Sequence, residues 1–91
     1  MKLATAQRLH DAAGACRELQ RICSERSRKE FLSDRLAQLA VWMLIEIVGE
    51  ALHQAERTDP AVAQRVPELR DIVNTRNRIT HGYDSVSFAL L

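Results

Sequence analysis

The fold is decided by the stretch Leu36-Ala37-Gln38-Leu39-Ala40-Val41-Trp42-Met43-Leu44-Ile45-Glu46-Ile47-Val48. These residues are apolar on nearly every face of a helix, with Gln38 as an interruption. A membrane span needs about 20 apolar residues, so this shorter run predicts a buried helix of a soluble protein with no membrane contact. A helix that is apolar all round has to be covered all round. Because a chain of 91 residues has few partner helices to offer, we expect a homodimer or a larger oligomer.

The chain before this stretch predicts a first long helix from Leu3 to Cys23. Its apolar residues recur at three- and four-residue steps and form one stripe, made of Leu9, Ala12, Ala13, Cys16, Leu19, Ile22 and Cys23. Cys16 and Cys23 lie about 10.5 Å apart along such a helix, which is too far for a disulfide between them. We expect both to be buried free thiols, which suits a reducing cytoplasm.

The central helix is predicted to begin at Phe31, because Ser27 and Glu30 just before it form the pattern of a capping box. No helix breaker follows until Asp59-Pro60. The pattern therefore predicts one uninterrupted second helix that contains the whole apolar stretch.

The last third of the chain predicts a helical turn and a third long helix. Residues 61–65 form the turn, Pro67 opens the helix, and Gly82 ends it through a left-handed conformation. The fold class is therefore all-α, with three long helices plus short helical turns. We expect a single domain over residues 1–91.

Composition excludes several classes of protein. The chain is 46% hydrophobic and has a formal net charge of +1, which is typical of a folded domain and unlike a disordered segment. With 13 basic and 12 acidic side chains it is not a strongly basic module, so DNA is not an expected partner. Its first residues contain no unbroken apolar segment of the kind found in signal peptides, and a cytoplasmic location is expected.

The densest polar cluster lies at the end of the third helix and contains Arg76, Asn77, His81 and Tyr83. A histidine can move a proton as general acid or base, and an arginine can stabilise negative charge on phosphate oxygens. Together they are a sensible minimum for cleaving RNA without a metal, and the alternative is a polar helix end with a capping histidine. Positions 76 and 81 lie about 140° apart around a regular helix. Either the helix distorts there, or the working cleft combines residues from two subunits.

The run Arg76-Asn77-Arg78-Ile79-Thr80-His81 resembles the R-x4-6-H signature of HEPN domains, and with Tyr83 it is similar to the HepT family of that superfamily. A second block on the central helix, Gly49-Glu50-Ala51, fits the same family pattern. So do Phe31, Asp34, Gln38 and Ala40-Val41 before it. The resemblance covers about residues 3–86.

This resemblance implies the toxin of a type VII-like toxin–antitoxin system, acting on RNA as a metal-independent ribonuclease without a cofactor. HEPN proteins are small antiparallel helical bundles that dimerise, with the motifs of two protomers facing a shared cleft, so the resemblance implies that the three long helices here form such a bundle. Arg76 and His81 would be the catalytic pair and Asn77 a supporting polar residue. The implied partner is a minimal nucleotidyltransferase antitoxin that silences the toxin by transferring AMP to Tyr83. HepT chains usually continue with a further helix, which this chain is expected to lack.

Two other interpretations were weighed against this one, a metal site and a non-catalytic subunit, and the second remains open. Glu50-x-x-His53 matches half of a carboxylate di-metal motif, but the sequence contains no second Glu-x-x-His, so no metal site is predicted. The chain could instead be a non-catalytic nucleotide-binding or regulatory subunit of a nucleotidyltransferase, in which Arg76 grips phosphate without cleaving RNA.

Overall fold

The computed structural model describes residues 2–82 and builds them from five helices and no strand. These are α1 (Leu3–Ser24), α2 (Arg28–Leu32), α3 (Arg35–Thr58), α4 (Val62–Arg65) and α5 (Leu69–His81). The long helices α1 and α5 both pack on α3, which therefore forms the centre of the bundle. The predicted all-α class, with three long helices and short helical turns, is confirmed.

Contacts at the helix ends show that α1 and α3 run antiparallel. The buried Thr5 near the start of α1 shares a hydrogen bond of 2.6 Å with Thr58 at the end of α3. At the opposite end, Arg26 after α1 donates to Asp34 before α3 at 3.1 Å. The two helices thus form a hairpin that is fastened at both ends.

The predicted uninterrupted second helix is wrong, because the chain breaks at Ser33-Asp34. The capping box forms as expected: the Glu30 amide donates to Ser27 Oγ at 3.1 Å, and the Ser27 amide donates to Glu30 Oε1 at 3.0 Å. It opens only the five-residue α2, however. Asp34 then caps the start of α3 by accepting from the Ala37 amide at 3.0 Å. A side chain that binds the backbone in this way favours a new helix start over continuation.

The boundaries of the last two helices differ slightly from the predicted ones. The short turn is present as α4, one residue shorter than expected, and α5 begins at Leu69, two residues after Pro67. Gly82 ends α5 by donating its amide to the Arg78 carbonyl at 2.9 Å. Its φ of −142° lies outside the left-handed region, so the predicted left-handed ending is wrong.

The buried face of α1 is turned relative to the predicted stripe. Its buried residues are the small Thr5, Ala12 and Ala15, which lets α1 approach α3 closely. Cys16 and Cys23 are free thiols, but both are exposed, so their predicted burial is wrong. Because the buried face of α1 is centred on Ala12 and Ala15, these thiols lie beside the contact with α3 instead of inside it.

The central helix α3 keeps one apolar stripe uncovered. Leu36 is 79% exposed and Met43 is 60% exposed, and Leu39 and Ile47 share the same side of the helix. Among the described residues, α3 is also the helix that is long and apolar enough to cross a membrane by length and composition, with 39% of its apolar window buried in the bundle. The core helices of soluble proteins meet the same criterion, so this property alone does not place α3 in a membrane. We call Leu36, Leu39, Met43 and Ile47 the uncovered stripe.

Candidate active site

The residues of interest lie on α5, whose inner face packs on α3. Leu69, Val73 and Ile79 are buried there at the spacing of one helical stripe. Arg76 lies in the middle of the same stripe. A charged residue therefore occupies a position that the helical pattern would otherwise fill with an apolar side chain.

Gly49 makes room for that arginine. A Cβ atom at Gly49 would lie 2.4 Å from Cβ of Arg76 and 2.5 Å from its Cγ, distances that real atoms do not adopt. The aliphatic stem of Arg76 thus lies directly against the backbone of α3. Only glycine allows the two helices to approach this closely here.

Two carboxylates of α3 receive the guanidinium of Arg76. Its Nη2 lies 3.2 Å from Glu50 Oε2, and its Nε lies 3.4 Å from Glu46 Oε2. The buried Nε makes no aligned hydrogen bond, so its contact with Glu46 is a charge interaction. On the side towards solvent, Nη1 donates to Asn77 Oδ1 at 3.0 Å. With only 24% of the side chain exposed, the positive charge of Arg76 is neutralised inside its own chain.

The two carboxylates are held in turn by their neighbours. Gln54 donates to Glu50 Oε1 at 2.8 Å, and Thr80 donates to Glu46. The Gln54 hydrogen bond and the nearby positive charge of Arg76 lower the pKa of Glu50 below its ordinary value of 4.5. Glu50 is thus kept in its charged form opposite Arg76.

His81 lies on a different surface from Arg76. Together with Asn77, Arg78 and Gly82 it lines an open cavity of about 380 Å³ at the end of α5. Arg76 lines a separate cavity of about 310 Å³, which it shares with residues of α1 and α3: Arg8, Glu46, Ile47, Glu50 and Ala51. Since α5 stays helical through His81, the helix does not distort to bring the two side chains together. Asn77 is the residue that links the two surfaces.

The remaining sequence candidates are placed as follows. Tyr83 lies outside the described residues. Glu50 and His53 lie three residues apart on α3. Within residues 2–82, no three His, Cys, Asp or Glu side chains form a group that could hold a metal ion. Nδ1 of His53 is buried and has no hydrogen-bond partner in the described part of the chain.

Sequence reasoning missed the carboxylate pair around Arg76. Glu46 and Glu50 are four residues apart, and therefore lie on one face of α3. An arginine inside the apolar stripe of α5 requires partners of this kind, since an unpaired buried charge is costly. The arginine inside an apolar stripe and the two glutamates four residues apart were thus the signal in the sequence that could have predicted this ion pair.

The model of the protein family HepT-like, described as Ribonuclease HepT-like, matches residues 12–91 of the chain. No curated protein matches the chain, and no solved structure matches it.

Proposed function

Because this chain belongs to the HepT-like ribonuclease family, we propose that it is a metal-independent endoribonuclease, the toxin of a type VII-like toxin–antitoxin pair that acts in the cytoplasm. The observation that carries the proposal is the surface at the end of α5, where the exposed His81 lies beside Asn77 and Arg78. A general acid–base group next to donors for an anion suits phosphodiester cleavage.

In the proposed reaction, the imidazole of His81 takes the proton from a ribose 2′-hydroxyl. The 2′-oxygen forms a bond to phosphorus while the bond from phosphorus to the leaving 5′-oxygen breaks. The imidazolium then returns its proton to that 5′-oxygen. The products are a 2′,3′-cyclic phosphate and a free 5′-hydroxyl, and no redox change occurs.

Arg76 is proposed to stabilise negative charge on the phosphate oxygens. This role requires a second copy of the chain. Arg76 and His81 of one chain line different cavities. The cavity of Arg76 is also lined by Ile47, which belongs to the uncovered stripe. A second copy packed on that stripe therefore lies next to Arg76. We propose a homodimer whose cleft combines Arg76 of one protomer with His81 of its partner.

Regulation is proposed to act through Tyr83. A minimal nucleotidyltransferase antitoxin would join the tyrosine oxygen to the α-phosphorus of ATP and release pyrophosphate. The tyrosine proton is lost and the bond between the α- and β-phosphates breaks. The added AMP carries negative charge two residues from His81, so it repels RNA and blocks its approach.

Expression in cells tests this function. Induction of the wild-type chain should arrest growth, and His81→Ala should relieve the arrest. His10→Ala is the matched control, because His10 is an exposed histidine on α1 that lies outside the proposed site. Purified wild-type protein should cut RNA in EDTA. RNA that stays intact in EDTA and is cut after a divalent metal is added would show that the metal-independent mechanism is wrong.

The same experiment addresses a second candidate function. In the single chain, Glu46 and Glu50 already neutralise the charge of Arg76, so this arginine has a structural contact whether or not the protein cuts RNA. Equal growth with the wild type and with His81→Ala would favour a non-catalytic nucleotide-binding or regulatory subunit of a nucleotidyltransferase.

A further inference from the structure

Arg78 lies beside His81 on the outer face of α5. The two residues are three apart, about 60° around the helix, and line the same open cavity. Arg78 is exposed, and no carboxylate within residues 2–82 forms an ion pair with it. Its guanidinium is therefore available to an anion that approaches His81.

Arg76 is in the opposite situation. It faces inwards, and its guanidinium contacts two carboxylates and one carboxamide oxygen of its own chain. Arg76 and His81 of one chain line different cavities, so an RNA phosphate at His81 does not reach Arg76 of the same chain. Among residues 2–82 of the same chain, Arg78 is the arginine that lines the cavity of His81.

Asn77 adds a donor to this surface. Its Oδ1 accepts from Arg76, which fixes the orientation of the carboxamide. The Nδ2 end then remains free to donate, and Asn77 lines the cavity together with Arg78 and His81. Within one chain, Arg76 thus also acts on this cavity indirectly, as a positioning residue for Asn77.

We infer that Arg78 binds a backbone phosphate of the RNA next to the bond that His81 cuts, with the Asn77 amide as a second donor. The inference rests on the proposed ribonuclease function. A guanidinium matches two phosphate oxygens with two parallel N–H donors. Since this contact holds the substrate before and during the reaction, Arg78 contributes to KM and not to kcat.

The test measures binding and cleavage separately. Affinity for a single-stranded RNA oligonucleotide is measured across a series of KCl concentrations in the His81→Ala background, so that the RNA stays intact. Arg78→Gln should raise Kd roughly tenfold and lower the slope of log K against log salt by about 0.7, the value for one phosphate contact to a single strand. In the active protein it should raise KM with little change in kcat.

Two further variants complete the experiment. Arg57→Gln removes one positive charge at the exposed end of α3, away from His81, and should leave Kd and the salt slope unchanged. Arg78→Lys keeps the charge but not the forked geometry, so it should keep the salt slope and recover only part of the affinity. If Arg78→Gln lowers the melting temperature, its weaker RNA binding could come from lost stability. Arg78→Lys then decides the result, because it keeps the positive charge at this position.

The outcomes separate the inference from the proposed function. Wild-type protein that cuts RNA, with Arg78→Gln indistinguishable from Arg57→Gln, would overturn the role of Arg78 and leave the ribonuclease function intact. Wild-type protein that neither binds nor cuts RNA would overturn the function, and the inference with it. A fall in kcat at unchanged KM in Arg78→Gln would assign this residue to the transition state instead of substrate binding.

Discussion

A β-carbon on Gly49 would lie 2.4 Å from the β-carbon of Arg76, so the closest approach of α3 and α5 depends on a missing side chain. Gly49→Ala should therefore push α5 away and lower the free energy of unfolding by roughly 1–3 kcal/mol. Thermal or urea unfolding followed by circular dichroism measures this change.

Gly14→Ala is the matched control for that prediction. Gly14 is also inside a helix, but an added Cβ would meet only Nη2 of the flexible Arg17, at 3.8 Å. It should stabilise the protein by about 0.5–1 kcal/mol, because alanine loses less backbone freedom on folding. The same sign of change in both variants would show that the contact between Gly49 and Arg76 is not tight.

Acid should weaken the packing of α5 through Glu50. The pKa of this carboxyl is lowered in the folded protein, first by Gln54 and then by Arg76. A group of this kind contributes stability above its unfolded pKa of about 4.5, and the contribution is lost as the pH falls through the lower folded pKa. The free energy of unfolding should thus decrease below about pH 4.5, and less steeply in Glu50→Gln.

A suitable control for this pH series is Glu18→Gln, at an exposed position of α1. It should leave the slope of stability against pH close to that of the wild type. Glu30 and Asp34 also have lowered pKa values, from hydrogen bonds at the helix starts, so part of the acid sensitivity should persist in Glu50→Gln. An unchanged slope in Glu50→Gln would contradict the prediction.

The hydrogen bond between Thr5 and Thr58 should raise the free energy of unfolding, and a variant of matched shape measures by how much. Thr58 already donates to the Ala55 carbonyl at 3.0 Å, so Thr5 is the donor in their shared bond. Thr5→Val keeps the volume but removes the donor, and should cost about 1 kcal/mol of unfolding free energy. Thr75→Val should change it by less than about 0.5 kcal/mol, because that hydroxyl bonds only to its own helix at an exposed site. Equal costs would mean that burial at Thr5 adds nothing.

The uncovered stripe of α3 should hold the proposed dimer together. Met43→Lys combined with Ile47→Lys should convert the dimer to a monomer, since two charges would be placed in an apolar contact. Sedimentation or light scattering after gel filtration measures the mass. Leu3→Lys is the control, because Leu3 is 84% exposed on α1 and lies outside the stripe. A wild-type protein that is monomeric at micromolar concentration would contradict the proposed dimer.

The helical pattern of the sequence was sufficient for the order and class of the helices, because three- and four-residue spacing reports which face is buried. It could not place the break at Ser33-Asp34, where a hydrogen bond from the Ala37 amide to Asp34 competes with continuation of the helix. The exposure of Cys16 has a similar cause, since it depends on how far α1 is rotated against α3. Such competition and rotation are decided by tertiary contacts.

The candidate site was predicted less completely than the fold. The angle between Arg76 and His81 followed from helix geometry alone, and α5 keeps that geometry. The inward direction of Arg76 required knowledge of its partners on α3, Glu46 and Glu50. Those partners are distant along the chain, and the spacing within α5 does not contain them.

The hairpin of α1 and α3, fastened by Thr5 at one end and by Arg26 at the other, makes the order of local opening predictable. The helix that carries His81 is held to α3 by packing and by side-chain pairs that lie partly in solvent, such as Arg70 with Glu56 at 3.2 Å. Amide hydrogens of α5 should therefore exchange with deuterium faster than those in the middle of α3. The surface proposed to bind RNA would then belong to the part of the molecule that can unfold locally while the hairpin of α1 and α3 stays folded.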